Sequence, residues 1–243
     1  IRKIKTEAKK GVNRLIWNFR YPPFTPVSLE TFDETVPWNE PAKGYTVVPG
    51  KYFVSLSKFQ DGKYTELVTK QEFVCKPLNI TTLPAEDKLA LDAFNKKVAE
   101  LTRTISGADA FRNELVKKIA YLKKAVLDGA EVPINTFNNV INIESDLREL
   151  NLKLNGDQLR VNYEGAAPTS LKGRVDLITG ALWGTTAAPT NTFIKSYDAA
   201  AAKFDEILND LKSIDYNIKQ VETDLEKSGA PYTPGRIPEW KKN

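Results

Sequence analysis

The side chains best placed for chemistry crowd into one stretch. Between Tyr21 and Lys43 lie Glu30, Asp33, Glu34 and Glu40, set among Tyr21, Phe24, Phe32 and Trp38. Two carboxylates facing a cleft, one with a raised pKa, are the minimum for acid–base cleavage of a glycosidic bond. The spacing here carries no diagnostic pattern, and the ordinary state of loop carboxylates is solvated. The aromatic side chains offer a second chemistry. Flat ring faces of Trp17, Phe19, Tyr21, Phe24, Phe32 and Trp38 can stack on sugar rings, and a proline-rich loop holds such planes still. The same enrichment marks packing between domains, and packing is the weightier alternative. The candidate partner or glycan contacts are therefore Tyr21, Phe24, Phe32 and Trp38.

Other chemistries are removed by composition. The 243 residues include no histidine, which excludes Ser–His–Asp and Cys–His catalysis and His-ligated zinc. The single cysteine, Cys75, can form neither an internal disulfide nor a CxxC site and reads as a small core residue. Asn79-Ile80-Thr81 fits the glycosylation pattern, a weak signal. No glycine-rich phosphate loop and no metal-ligand cluster stands out, so no catalytic residue, metal or cofactor is assigned. Lys+Arg number 35 against 31 Asp+Glu, a net charge of +4, and the two signs interleave; nucleic acid is not expected as a partner. No apolar run is long enough to span a membrane.

The elements that position these residues fall into two textures. Residues 1–80 are rich in aromatic residues, Pro, Thr and Val, and read as β-structure. Leu15, Trp17 and Phe19 alternate with polar neighbours as in a strand with one buried face. Tyr52, Val54 and Leu56 alternate likewise after a Pro49-Gly50 turn. Asp61-Gly62 makes a hairpin turn into a return strand, Tyr64 to Cys75. Ile1–Lys5 reads as the tail of another strand. So few strands make only part of a sandwich, and the expectation is a domain incomplete at its N-terminus. The Tyr21–Lys43 segment, with Pro22, Pro23, Pro26, Pro37 and Pro41, is preorganised loop; loops this long are usually functional or docked on something.

Residues 81–229 carry helical periodicity. Leu91, Phe94, Val98, Leu101, Ile105, Ala108, Leu115, Ile119, Leu122 and Val126 step by three and four, with only Arg112 out of register. One long helix is expected from about Ala85 to Asp128, with Pro84 in its first turn and Gly129 at its C-cap. A second stripe, Val140 to Leu154, ends at Gly156. A short third one, Leu171 to Leu182, ends at Gly184. A fourth helix runs from near Thr190 to near Gly229. Thr169 and Thr190, each after a proline, are candidate caps. Asp157–Thr169 reads as the longest connection, and residues 230–243 as an extended tail. The fold class is thus α+β and multidomain: a partial antiparallel Ig-like β-sandwich, then a long antiparallel four-helix bundle.

Two strand motifs resemble a known family. Gly11-Val12-Asn13-Arg14-Leu15-Ile16-Trp17-Asn18-Phe19-Arg20-Tyr21-Pro22 is similar to a G-x-N-x-x-x-W-[DN]-x-R-x-P strand found late in large secreted bacterial proteins. Val48-Pro49-Gly50-Lys51-Tyr52-Phe53-Val54-Ser55-Leu56 is similar to their x-P-G-x-Y-x-V-x-L strand. These are the BNR/Asp-box, sortilin-like β-propeller proteins often labelled glycosyl hydrolases. The position of Asn18 is often Asp in that motif, which suggests a structural turn or sheet-end role. The resemblance implies a C-terminal region lying after a β-propeller, and no catalytic residue carries over because the centre would belong to the propeller. It implies a secreted, periplasmic or outer-surface location in a bacterium. The implied role is accessory: docking or positioning the propeller, with surface proteins or glycans as further partners. The alternatives are a glycoside hydrolase whose active site lies in that propeller, and a carbohydrate-binding module.

Overall fold

The computed structural model describes residues 1–29, 35–36, 41–78, 80–165, 167–238 and 240. Among these residues the chain is mixed: a two-stranded antiparallel sheet and five helices. The strands are β1 (Gly50–Gln60) and β2 (Lys63–Cys75). They meet at Asp61-Gly62, where both residues take positive φ, 52° and 75°, as a tight two-residue hairpin turn requires. Pairing starts at Gly50↔Cys75 and ends at Gln60↔Lys63, and both register irregularities place the extra residue on β2.

A sandwich is not seen among the described residues, and the strand expected around Leu15–Phe19 has no ladder. Only an isolated bridge, Arg20↔Thr46, forms there. The cause is local. Phe19 takes φ 55°, a left-handed value unusual for an aromatic residue, which ends the alternation. Leu15 and Phe19 are 48% and 44% exposed and Trp17 is only half-buried, so the alternating residues of this segment do not line one buried face. The segment instead doubles back. Gly11 at φ 101° turns the chain, Asn13 bonds the Lys9 backbone through both its oxygen and its amide, and Arg2 donates to Asn18.

The helices are α1 (Lys88–Asp128), α2 (Ile134–Asn155), α3 (Gln158–Glu164), α4 (Leu171–Leu182) and α5 (Asn191–Lys227). The α1 stripe is buried as the period dictates, from Leu91 through Val98, Ile105, Leu115 and Leu122 to Val126. Each such leucine contributes about 1.5–3 kcal/mol by leaving water. Capping differs in detail from expectation. The α1 cap is Asp87, whose carboxylate accepts from the amides of Leu89 and Ala90 at 2.9 Å, so Pro84 lies outside the helix. Ser170 rather than Thr169 caps α4, and Thr190 caps α5.

Four helices pack around one core, but not as four legs side by side. Lys123 pairs with Glu144 and Asp109 with Asn155, so α2 runs antiparallel to α1. Phe94 meets Tyr197 and Lys118 pairs with Glu222, so α5 runs parallel to α1. Helix α4 begins where α2 ends. Asp109 of α1 faces both Asn155 and Lys172, and a Cβ on Gly156 would stand 3.1 Å from that of Ser170. At the far end of α4, the Ala85 amide donates to the Thr186 carbonyl at 2.7 Å. Helices α2 and α4 therefore form one interrupted descending leg between two long ascending ones. The expected four-helix arrangement becomes three legs about 60 Å long.

The described residues between Asn155 and Ser170 leave the bundle and return to the same place. Helix α3 forms in this excursion and buries no residue. Arg112, the misfit of the α1 stripe, sits at the joint and donates to Asp109 at 3.1 Å. The tail expected to be extended folds back in its described part: Ala230 is buried beside Gly129, and Arg236 pairs with Glu226.

Candidate functional site

The described aromatic candidates lie where α1 begins and α4 ends. Tyr21 and Phe24 are half-buried and both stack on Tyr45, at ring-centroid distances of 4.4 and 5.9 Å. Trp183, at the end of α4, packs against Phe24 and Tyr45 at 5.5 and 5.9 Å. Tyr45 is 2% exposed. Burial, then the neighbouring Tyr21 and Asp92, push its phenol well above the usual tyrosine range, so it stays protonated. Phe32 and Trp38, and with them Glu30, Asp33, Glu34, Glu40 and Asn79, lie outside the described residues.

Backbone pairing places this cluster. Tyr21 and Tyr45 join through amide and carbonyl at 3.0 Å, Gly44 donates to the Tyr21 carbonyl, and Val47 donates to Phe19. A Cβ at Gly44 would stand 2.5 Å from the Pro22 carbonyl oxygen, so only glycine admits this approach. Arg20 closes the arrangement. Its Nη1 donates to the Gly44 carbonyl at 3.1 Å and to the Trp183 carbonyl at 3.0 Å. The Thr46 hydroxyl donates to the same Trp183 oxygen at 3.3 Å. The segment before the hairpin is thereby tied to the bundle by its backbone and its rings together.

A second aromatic group stands at the base of the hairpin. Trp17 packs on Phe19, Tyr52 and Phe73 at 5.0, 5.7 and 6.1 Å and donates from Nε1 to the Arg20 carbonyl. At the tip, Phe59 and Tyr64 pair at 4.6 Å with both rings more than half exposed, and Lys3 Nζ lies 5.6 Å from the Tyr64 ring centre. Between base and tip, Phe53, Val54, Leu56, Leu67 and Val68 are all exposed. Cys75, a free thiol, closes the hairpin base at half burial.

Sequence reasoning did not find Tyr45, Trp183, Arg20 or Gly44 as parts of one site. Trp183 directly after the last buried leucine of a helix was the available signal. Also missed was the local charge balance. Arg2, Lys3, Lys5, Lys9, Lys10, Arg14 and Arg20 stand against Glu7 alone in the first twenty residues.

The arrangement offers packing surfaces. Among the described residues no three His, Cys, Asp or Glu side chains group as metal ligands. An open groove of about 520 Å³ runs between α1 and α5, lined by Lys96, Glu100, Leu101, Tyr197 and Phe204. Lys96 spends its charge on Asp92 at 2.6 Å. Among the described residues no helix is long and apolar enough to cross a membrane. No protein-family model, curated protein or solved structure matches this chain.

Proposed function

We propose that this chain is a non-catalytic docking and scaffolding region, in which the helical legs form a rigid stalk and the hairpin with its preceding segment holds a partner. One contrast supports the reading. The bundle buries its apolar stripe, whereas β1 and β2 leave Phe53, Val54, Leu56, Phe59 and Tyr64 open to solvent. A hairpin exposed on this scale is marginal alone and gains stability when another layer covers it. Residues 1–19, with Trp17 on Tyr52 and Phe73 and Lys3 on Tyr64, are the start of such a layer. On this reading the β-part belongs to an Ig-like sandwich that further strands complete. The resemblance of the two strand motifs makes a secreted or surface bacterial β-propeller the partner, and hydrolysis of a glycoside, if it occurs, a property of that propeller.

A photo-crosslinking residue at Phe59, in the protein as its source cell makes it, tests this. Crosslinks from Phe59 to identified propeller peptides, with none from the exposed bundle residue Tyr216, are the expected result. Equal crosslinking from both positions, or none from Phe59, overturns the reading. The carbohydrate-binding alternative draws less support. Tyr21 and Phe24 already commit ring faces to Tyr45 and Trp183.

A further inference from the structure

The two edges of the hairpin are not equivalent. Both register irregularities insert their extra residue into β2, between its pairings with Val54 and Leu56 and again between those with Leu56 and Ser57. Bulges bend and twist the strand that carries them, which blunts its edge against further pairing. β1 carries none of the extra residues. Its outer edge has no strand partner among the described residues.

Charge points the same way. In the bundle many cations are answered within the chain, among them Lys118 by Glu222, Lys123 by Glu144, Lys153 by Asp210 and Arg112 by Asp109. Around the hairpin fewer are. β1 contains Lys51 and Lys58 and no acidic residue. Lys51 pairs with Glu72 across the sheet, but among the described residues Lys58 and Lys63 at the tip have no ion-pair partner, nor do Lys3, Lys5, Lys9 and Lys10 of the preceding segment.

We propose that the outer edge of β1 is a docking edge for an acidic β-strand of a partner protein. This rests on the docking role of the hairpin argued above and names the chemistry of what docks. An unpaired, unbulged backbone edge is matched only by another polypeptide backbone. Each face of β1 carries an exposed apolar pair, Val54 and Leu56 on one and Phe53 and Phe59 on the other, so a strand with apolar side chains at alternate positions meets one such pair whichever face they take. The unanswered lysines call for carboxylates between them. A polyanion without a peptide backbone, such as an acidic glycan, satisfies the last demand and neither of the others. A second copy of this chain brings the same positive charge and is repelled.

The test uses the full chain and synthetic strands about ten residues long that alternate valine with glutamate or with lysine. The glutamate strand binds, with amide exchange slowed in β1 and unchanged in α1 and α5. The lysine strand binds at least about tenfold more weakly. Methylating alternate backbone nitrogens of the glutamate strand abolishes binding. Lys58→Glu with Lys63→Glu reverses the preference between the two peptides. Retained binding of the N-methylated strand, equal binding of both peptides, no binding of either, or concentration-dependent self-association through the hairpin each overturns the proposal. Crosslinking from Phe59 to a propeller alongside any of these results leaves the docking role standing and removes only the β1 edge.

Discussion

Arg20 and Trp183 lie 163 positions apart in sequence, yet the guanidinium of one donates to the carbonyl oxygen of the other at 3.0 Å. That carbonyl closes the last turn of α4, where the helix leaves acceptors unanswered and favours a positive charge. The same Nη1 also reaches the Gly44 carbonyl. One side chain therefore ties the segment before the hairpin to the bundle. Arg20→Ala is expected to weaken that attachment by about 1.5–3 kcal/mol, the range for hydrogen bonds to a charged donor. Limited proteolysis reads it: cleavage between residues 20 and 50 accelerates, while thermal unfolding of the helices followed by circular dichroism shifts little. Unchanged cleavage would show that the aromatic stack alone holds the segment.

Asn95 occupies a core position of α1 and is 4% exposed, and its Oδ1 finds no partner among the described residues. Its neighbours in the stripe, Leu91 and Val98, are apolar. A buried polar group of this kind costs stability and fixes which helices face it. Asn95→Leu is expected to stabilise the bundle by about 1–3 kcal/mol, read from the midpoint of urea unfolding at unchanged slope. A lower midpoint would mean that the amide is fully satisfied in solution.

How much of this was legible in the sequence depended on which contacts the pattern encodes. The stripe from Leu91 to Val126 and its counterparts later in the chain are local periodicity, and α1, α2, α4 and α5 follow from them within a few residues. The Asp61-Gly62 turn is also local, and the hairpin follows from it. What the pattern does not encode is how stripes meet. Val140–Leu154 and Leu171–Leu182 read as two independent helices, and it takes Asp109 facing Asn155 and Lys172 together, with Gly156 beside Ser170, to show that they share one leg. Arg112 was visible as a misfit, but its meaning lies in that joint. Helix α3 escaped because it buries nothing and so leaves no apolar stripe. The Leu15–Phe19 alternation misled because a strand needs a neighbour as well as a pattern, and Phe19 turns left-handed instead. In the aromatic site, Tyr21 and Phe24 were visible as types, whereas Tyr45 and Trp183 join them only through contacts distant in sequence.

The excursion between α2 and α4 leads to a prediction about dispensability. Gly156 and Ser170 adjoin, α3 buries no residue, and Tyr163 is 87% exposed. Removing residues 158–169 and rejoining the ends through a short glycine-containing link leaves every buried stripe intact. Closing a shorter loop also costs slightly less entropy. The shortened chain is expected to keep its helical content and to unfold within about 0.6 kcal/mol of the full chain in urea. A large loss would place a structural contact in the excursion that α3 does not show.

The folded-back tail supplies a pH dependence. Glu226 accepts from the Tyr232 hydroxyl at 2.9 Å and pairs with Arg236, whose side chain is 6% exposed. The bond from Tyr232, then the one from Arg236, holds the Glu226 carboxyl below the usual glutamate range. A carboxyl whose pKa is lower folded than unfolded contributes stability above its unfolded value and loses it as pH falls through the folded value. The attachment of residues 230–236 is therefore complete at neutral pH and weakens in acid, starting near the ordinary glutamate pKa and continuing below it. Amide exchange in this tail, followed from neutral pH downward after correction for intrinsic rates, is expected to rise earlier than exchange in the core of α5. Glu226→Gln removes that dependence: its tail exchanges faster at neutral pH and changes little on acidification. If both proteins respond to acid alike, the tail is held by Ala230 in its apolar site beside Gly129 and not by the Glu226 carboxylate.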